Sequence, residues 1–183
     1  YINTIKNEMP LIKEGMLTVT ARTNGRPLII ANLLTTEGAE EPSADKGERF
    51  ISGKASGKDF AFSTEPGNYY RVAGLATDAL AMTWDKTKIF VALCTSLERD
   101  GKLLLQSGEP ITADIGKNSM KYYLAKASII SIGVPSKTSK ITLNGKIAKN
   151  FKYDEDKKII TLSLPEGEGF VSFEIAKSKK TNN

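Results

Sequence analysis

Lys140-Ile141-Thr142-Leu143-Asn144-Gly145-Lys146 decides the fold. Ile141 and Leu143 alternate with Lys140 and Thr142, and Asn144-Gly145 follows at once. Alternation of period two puts the apolar pair on one side of an extended strand and the polar pair on the other. Asn-Gly suits the two-residue hairpin turn, whose central positions both need positive φ. A strand that doubles back through such a turn belongs to an antiparallel sheet with one dry and one wet face.

The same pattern recurs on both sides of this stretch. Leu17 and Val19 alternate with Thr18 and Thr20, Phe60 and Phe62 with Asp59 and Ala61, and Val171, Phe173 and Ile175 with Ser172 and Glu174. Turn signals at Asn24-Gly25, Glu65-Pro66-Gly67-Asn68, Asp100-Gly101 and Pro165-Glu166-Gly167 separate the runs at short, fairly regular spacing. The reading predicts strands at 15–23, 27–35, 48–54, 58–64, 68–75, 78–85, 88–95, 102–107, 110–115, 119–125, 127–134, 139–144, 147–153, 158–164 and 169–176. No segment carries a sustained helical stripe, and short helical turns fit only in the first dozen residues. The fold class is therefore all-β: an antiparallel β-sandwich of two sheets, with a supersandwich as its larger variant. Trp84, Phe90, Cys94, Ile132, Leu143, Leu162 and Phe173 are expected in the core.

Hydrophobic residues make up 40% of the 183-residue chain, enough to fill such a core. The sandwich is expected to span 15–176. Residues 1–14, which begin at Tyr1 without a charged-then-apolar leader, read as a segment leading in from an upstream region. Residues 177–183 read as a disordered tail. Gly38 to Gly47 is polar, acidic and poor in apolar residues, and is expected to be a long exposed loop. A seam at Gly133-Val134-Pro135-Ser136-Lys137 sets off a final pair of hairpins that should share the same core.

The net charge is +5, from 26 basic and 21 acidic residues. Many of the lysines lie late in the chain, at Lys146, Lys149, Lys152, Lys157, Lys158, Lys177, Lys179 and Lys180. Most alternate with apolar residues, which is the pattern of a solvated sheet face, so no nucleic-acid partner is expected. A mild positive field would help an acidic polysaccharide approach. No apolar run nears the roughly 18 residues of a membrane span. Cys94 is the sole cysteine, in an apolar run that reads as a core strand. The chain has no histidine, which excludes a Cys-His pair, a Ser-His-Asp triad and a His-ligated zinc within it. No cofactor is implied.

Ser52-Gly53-Lys54-Ala55-Ser56-Gly57-Lys58 resembles a phosphate loop but fails as one. Three residues separate the glycines where four are needed, and Asp59 follows Lys58 where a Ser or Thr should stand. A hairpin loop is the better reading. Asp154, Glu155 and Asp156 are sequential and read as a hairpin turn rather than two carboxylates held across a cleft. A calcium site in this turn or at Glu40, Glu41 and Asp45 stays open, since oxygen clusters suit calcium, though neither has the spacing of a known calcium loop. Tyr69, Tyr70, Tyr122 and Tyr123 are candidates for a sugar-stacking surface. Adjacent residues of a strand face opposite ways, so one of each pair should be inside. Trp84, two residues after Met82, reads as core. A tyrosine can carry a proton in a lyase, but its pKa near 10 needs strong tuning, and no partner for that is visible in the sequence.

Two stretches carry a family resemblance. One is Tyr69-Tyr70-Arg71-Val72-Ala73-Gly74-Leu75 through Asp85, continued by Lys88-Ile89-Phe90-Val91-Ala92-Leu93-Cys94-Thr95-Ser96-Leu97 and Gly101 to Ser107. The other is Ile141-Thr142-Leu143-Asn144-Gly145-Lys146, then Tyr153-Asp154 and Leu162-Ser163-Leu164-Pro165-Glu166-Gly167-Glu168-Gly169. Over about the last two-thirds of the chain, this resembles the C-terminal β-sandwich of heparinase II/III-like polysaccharide lyases and related bacterial carbohydrate-active proteins. In those enzymes an α/α toroid ahead of the sandwich carries most of the catalytic groups for β-elimination at a uronic acid. This sequence contains neither the toroid nor the histidines, so no catalytic residue carries over. The resemblance implies a sandwich fold, a periplasmic or secreted setting, and an accessory role beside an upstream catalytic domain of the same polypeptide. The alternatives are an autonomous carbohydrate-binding module and a structural or adhesive β domain without ligand. A large apolar patch on one face would favour the accessory role, and a row of exposed rings the binding module.

Overall fold

The computed structural model describes residues 2–4, 15–17 and 43–175, apart from 48, 56 and 66. Strands β1 (Ile2–Thr4) and β2 (Gly15–Leu17) pair as a separate antiparallel ribbon. The rest begins with β3 (Ser43–Lys46), β4 (Phe50–Ala55), β5 (Lys58–Ser63), β6 (Tyr70–Val72), β7 (Leu75–Thr77) and β8 (Ala81–Trp84). Two long strands follow, β9 (Ile89–Arg99) and β10 (Lys102–Ile115). The chain closes with β11 (Ser119–Leu124), β12 (Ser128–Gly133), β13 (Thr138–Leu143), β14 (Lys146–Ile147), β15 (Phe151–Asp154), β16 (Ile159–Leu164) and β17 (Gly167–Ile175). Every pairing is antiparallel, and no helix occurs among the described residues.

The long β9–β10 hairpin organises the rest. The first half of β9 pairs with β8, and its second half with β7. Residues 105–107 of β10 pair with β12, and residues 111–115 with β11. One branch therefore runs β3-β4-β5-β8-β9-β10-β11-β17-β13-β14, and the other runs β6-β7-β9-β10-β12-β16-β15. The pairing slips between Gln106 and Ile111 and again between Ile111 and Ala113. Such bulges bend a strand and let it pass from one layer to the next. Ser107 and Ser128, both buried, fasten the bend: the amide of Glu109 donates to Ser128 Oγ at 3.1 Å.

The inner faces of both branches line a single core. It includes Ala61, Met82, Val91, Ala113, Leu124, Ile141 and Val171 from the first branch and Leu75, Leu105, Ile130, Ile160 and Leu164 from the second. Phe50 on β4 stacks on Tyr70 of β6, ring centroids 5.4 Å apart, so the branches face each other as two layers. The sheet is a sandwich that does not close into a barrel, with each fully buried aliphatic side chain stabilising by about 1.5–3 kcal/mol. The seam at 134–137 is crossed by this core as expected, because Ile141, Leu162 and Leu164 belong to it.

Several expectations need correction. Phe90 is not in the core; it is 39% exposed. Leu93 has φ of 51°, and the bulge there resets the alternation, so Ile89 and Val91 face inward and then Cys94 and Leu97 do. Leu143 is only partly buried against the core, while Trp84, Cys94, Ile132, Leu162 and Phe173 are buried. The stretch 68–75 is not one strand, because Ala73 and Gly74, with φ of 48° and 77°, turn β6 back into β7. The predicted strands 102–107 and 110–115 are one strand, carried past Pro110 by the bulge. The predicted strand 147–153 divides into the ends of β14 and β15. The second half of the expected Gly38–Gly47 loop is β3, paired along the edge of β4. The predicted strand 27–35, the Asn24-Gly25 turn, Glu40, Glu41 and the 177–183 tail lie outside the described residues.

Candidate functional site

The four candidate tyrosines do not form one surface. Tyr69 and Tyr123 are exposed at 40% and 52%, whereas Tyr70 and Tyr122 are buried in the core. Tyr122 lies over Gly169, its partner across β11 and β17, where a Cβ on the glycine would fall 2.3 Å from the ring. Only Tyr69 and Tyr123 could meet a ligand, and they are apart: Tyr69 immediately precedes β6 in one branch, and Tyr123 lies on β11 in the other. Ser52-Gly53-Lys54-Ala55 is strand rather than phosphate loop, and the run after Asp154 is a turn in which the Lys157 amide donates to Asp154 Oδ1. No three or more Cys, Asp or Glu side chains gather as metal ligands among the described residues. No described helix is long and apolar enough to cross a membrane.

One partly buried polar cluster sits where β9 passes between layers, with Thr77 and Cys94 as its buried members. Asp78 Oδ1 accepts from the amides of Thr95 and Ser96, both at 2.9 Å, and Oδ2 accepts from the Thr95 hydroxyl. The Thr77 hydroxyl donates to the Ser96 carbonyl at 2.8 Å and accepts from the Ala79 amide at 3.1 Å. Cys94 Sγ donates to the same carbonyl at 3.2 Å. Burial pushes the Cys94 thiol up to about 12 and, with the nearby Cys94 and Asp78, raises Tyr70 well above the usual tyrosine range. These groups are held neutral or fully hydrogen-bonded. A nucleophilic cysteine needs the opposite, a stabilised thiolate within reach of solvent. The cluster fixes the β7–β8 connection to the bend of β9.

The outer face of the long branch is different. Register places Phe60, Thr83, Phe90, Asp114, Lys121 and Phe170 in one row across β5, β8, β9, β10, β11 and β17. The adjacent row, Trp84, Ile89, Ile115, Met120 and Val171, points into the core, so the first row lies on the opposite face, where Phe60 is nonetheless buried and the stretch from Phe90 to Phe170 is open. Phe90 and Phe170 are each 39% exposed, with Tyr123 in the neighbouring outer row. Strand spacing sets Phe90 and Phe170 roughly 14 Å apart.

A shallow cavity of about 290 Å³ lies beside Phe90. Lys58, Thr83, Asp85, Lys88 and Asp114 line it, with the edge of Trp84. Asp85 Oδ1 accepts from the Thr87 amide and hydroxyl, both at 2.7 Å, and from the Lys88 amide at 3.0 Å. These hydrogen bonds, with help from Lys58, hold the Asp85 carboxyl below the usual range, so it is ionised. Lys88 Nζ stands 3.5 Å from Asp114 Oδ2. The sequence reading missed this place because it assigned Phe90 to the core. A signal was present: Lys88 and Phe90 share the parity opposite to Ile89 and Val91.

A scan against protein-family models finds no match for this chain, and no curated protein matches it.

Proposed function

We propose that this protein is a non-catalytic accessory β-sandwich of an extracytoplasmic polysaccharide-active protein, acting by contact through its outer sheet face beside an upstream catalytic domain. The observation that supports it most is the contrast between the two polar assemblies. The half-buried cluster around Asp78 and buried Cys94 is occupied by its own hydrogen bonds, whereas the exposed rings of Phe90, Tyr123 and Phe170 gather on one face among charged groups. Abstracting a proton beside a uronate needs a positioned base and a group that neutralises the acid. Tyr70 and Tyr122 supply neither, since both are buried with raised pKa. The net charge of +5 adds a weak, salt-screened pull toward an acidic polysaccharide.

The row of exposed rings favours a second reading, an autonomous carbohydrate-binding module, over a ligand-free adhesive domain. The test is incubation of the purified protein with heparan, chondroitin and alginate while following the ultraviolet absorbance of unsaturated product. No product is expected. Steady product that survives repurification and is lost in Tyr69→Phe or Tyr123→Phe would overturn the non-catalytic reading.

A further inference from the structure

The cavity beside Phe90 brings an aromatic ring together with charged groups of both signs. A half-exposed aromatic ring forms one wall, and two ammonium and two carboxylate groups surround it. We infer that this cavity seats one neutral sugar ring of a glycan chain, stacked on Phe90 and hydrogen-bonded through its hydroxyls to Asp85, Asp114, Lys58 and Lys88. The inference rests on the proposed reading of the outer face as a polysaccharide-contacting surface and names the unit that it takes.

The chemistry of the lining selects the ligand. A hydroxyl both donates and accepts, so neighbouring hydroxyls on one ring can give to a carboxylate and receive from an ammonium. Asp114 and Lys88, 3.5 Å apart, present that combination, and Asp85 and Lys58 supply a second set on the same cavity. All three donors to Asp85 converge on Oδ1, and among the described residues Oδ2 has no hydrogen-bond partner. The two charges of each sign cancel. A uronate or phosphate placed here would gain from Lys58 and Lys88 what it loses to Asp85 and Asp114. A wholly apolar ligand would strip water from four charged groups without replacing their hydrogen bonds. The flat face of a pyranose, which is apolar, fits Phe90, and its polar rim fits the rest.

Size and position agree with one ring of a longer chain. A cavity of about 290 Å³ is at the small end of ligand sites. It is open on the outer face, and the row beyond Asp114 continues through Lys121 to Phe170, with Tyr123 alongside. A glycan leaving the cavity across the strands meets these rings next.

The test is affinity electrophoresis and titration calorimetry of the full chain, at low and high salt. The probes are neutral oligosaccharides from β-glucan, mannan and galactan, and acidic ones from alginate and polygalacturonate. Phe90→Ala and Asp114→Asn are the site variants. Ile129→Ala, at an exposed apolar residue on β12, is the control. All three change exposed or half-exposed side chains, and circular dichroism checks that they fold. The expected result is binding of a neutral series that salt changes little, about tenfold weaker in either site variant, through a lost hydrogen bond to a charged group in Asp114→Asn and a lost ring contact in Phe90→Ala, and unaltered in the control. Neutral binding that both site variants leave intact would overturn the cavity assignment and leave the accessory reading standing. Binding confined to acidic chains and abolished by salt would overturn the neutral-ring assignment alone. Binding to no polysaccharide would overturn the inference and the glycan-contacting role together.

Discussion

Phe90 and Asp114 stand opposite each other in the β9–β10 register, both on the outer face of the long branch. The pairing puts an aromatic ring and a carboxylate side by side in reach of solvent, at a position where an unbroken alternation through Cys94 would have buried the ring. Stability should report this directly. Phe90→Ala is expected to cost about 1–2 kcal/mol, part of what a fully buried side chain contributes, because the ring is 39% exposed. Phe173→Ala, at a core residue 8% exposed, is expected to cost about 3–5 kcal/mol. Denaturant unfolding of both variants decides it, and similar losses would show that Phe90 is packed inside after all.

Tyr122 covers Gly169 so closely that a methyl group there would strike the ring. Gly169→Ala is therefore expected to destabilise by about 1–3 kcal/mol through overpacking. Replacing Tyr122 by Leu in the same molecule should recover part of that loss, because the two positions touch and their effects cannot add. Strict additivity in a double-mutant cycle would show that the contact is loose.

Alkali should unfold the protein in a particular window. Cys94 titrates near 9.0 when unfolded and is pushed up to about 12 when folded, and buried Tyr70 is raised as well. The unfolded chain loses these protons first, so the stability they contribute is complete below about pH 9 and is lost progressively as the pH rises toward 12. Unfolding midpoints measured from neutral to strongly alkaline pH should be level and then fall. Cys94→Ala and Tyr70→Phe should each flatten the fall. The native protein should also leave a thiol reagent unreacted at neutral pH, since the sulfur is buried.

Much of the sandwich could be read from local signals. Asn144-Gly145 and Asp100-Gly101 adopt the paired positive φ values that their residue types favour, 50° and 77° in the first and 50° and 74° in the second. Ala73-Gly74 adopts the same geometry but escaped notice because alanine is a poor marker of positive φ. The continuity of β10 past Gly108 and Pro110 was hidden because a bulge carries the strand where its sequence signals a break. The outer face was hidden by the run Ile89 to Cys94, which is apolar throughout. Alternation cannot assign a side in such a run, and the Leu93 bulge changes parity within it. Of the candidate tyrosines, the rule of opposite faces correctly placed one of each pair inside, but no sequence signal showed that Tyr123 shares its face with Phe90 and Phe170.

The proposed role puts the working surface of the protein on this outer face. The most direct measurement is amide chemical-shift mapping of the nitrogen-labelled protein during titration with the oligosaccharide that binds best. The perturbed amides are expected to centre on Thr83, Lys88, Phe90 and Asp114 and to spread toward Lys121 and Phe170. Perturbations centred on the β12–β16 face around Ile129 and Ser163, or within the Asp78–Cys94 cluster, would contradict that role.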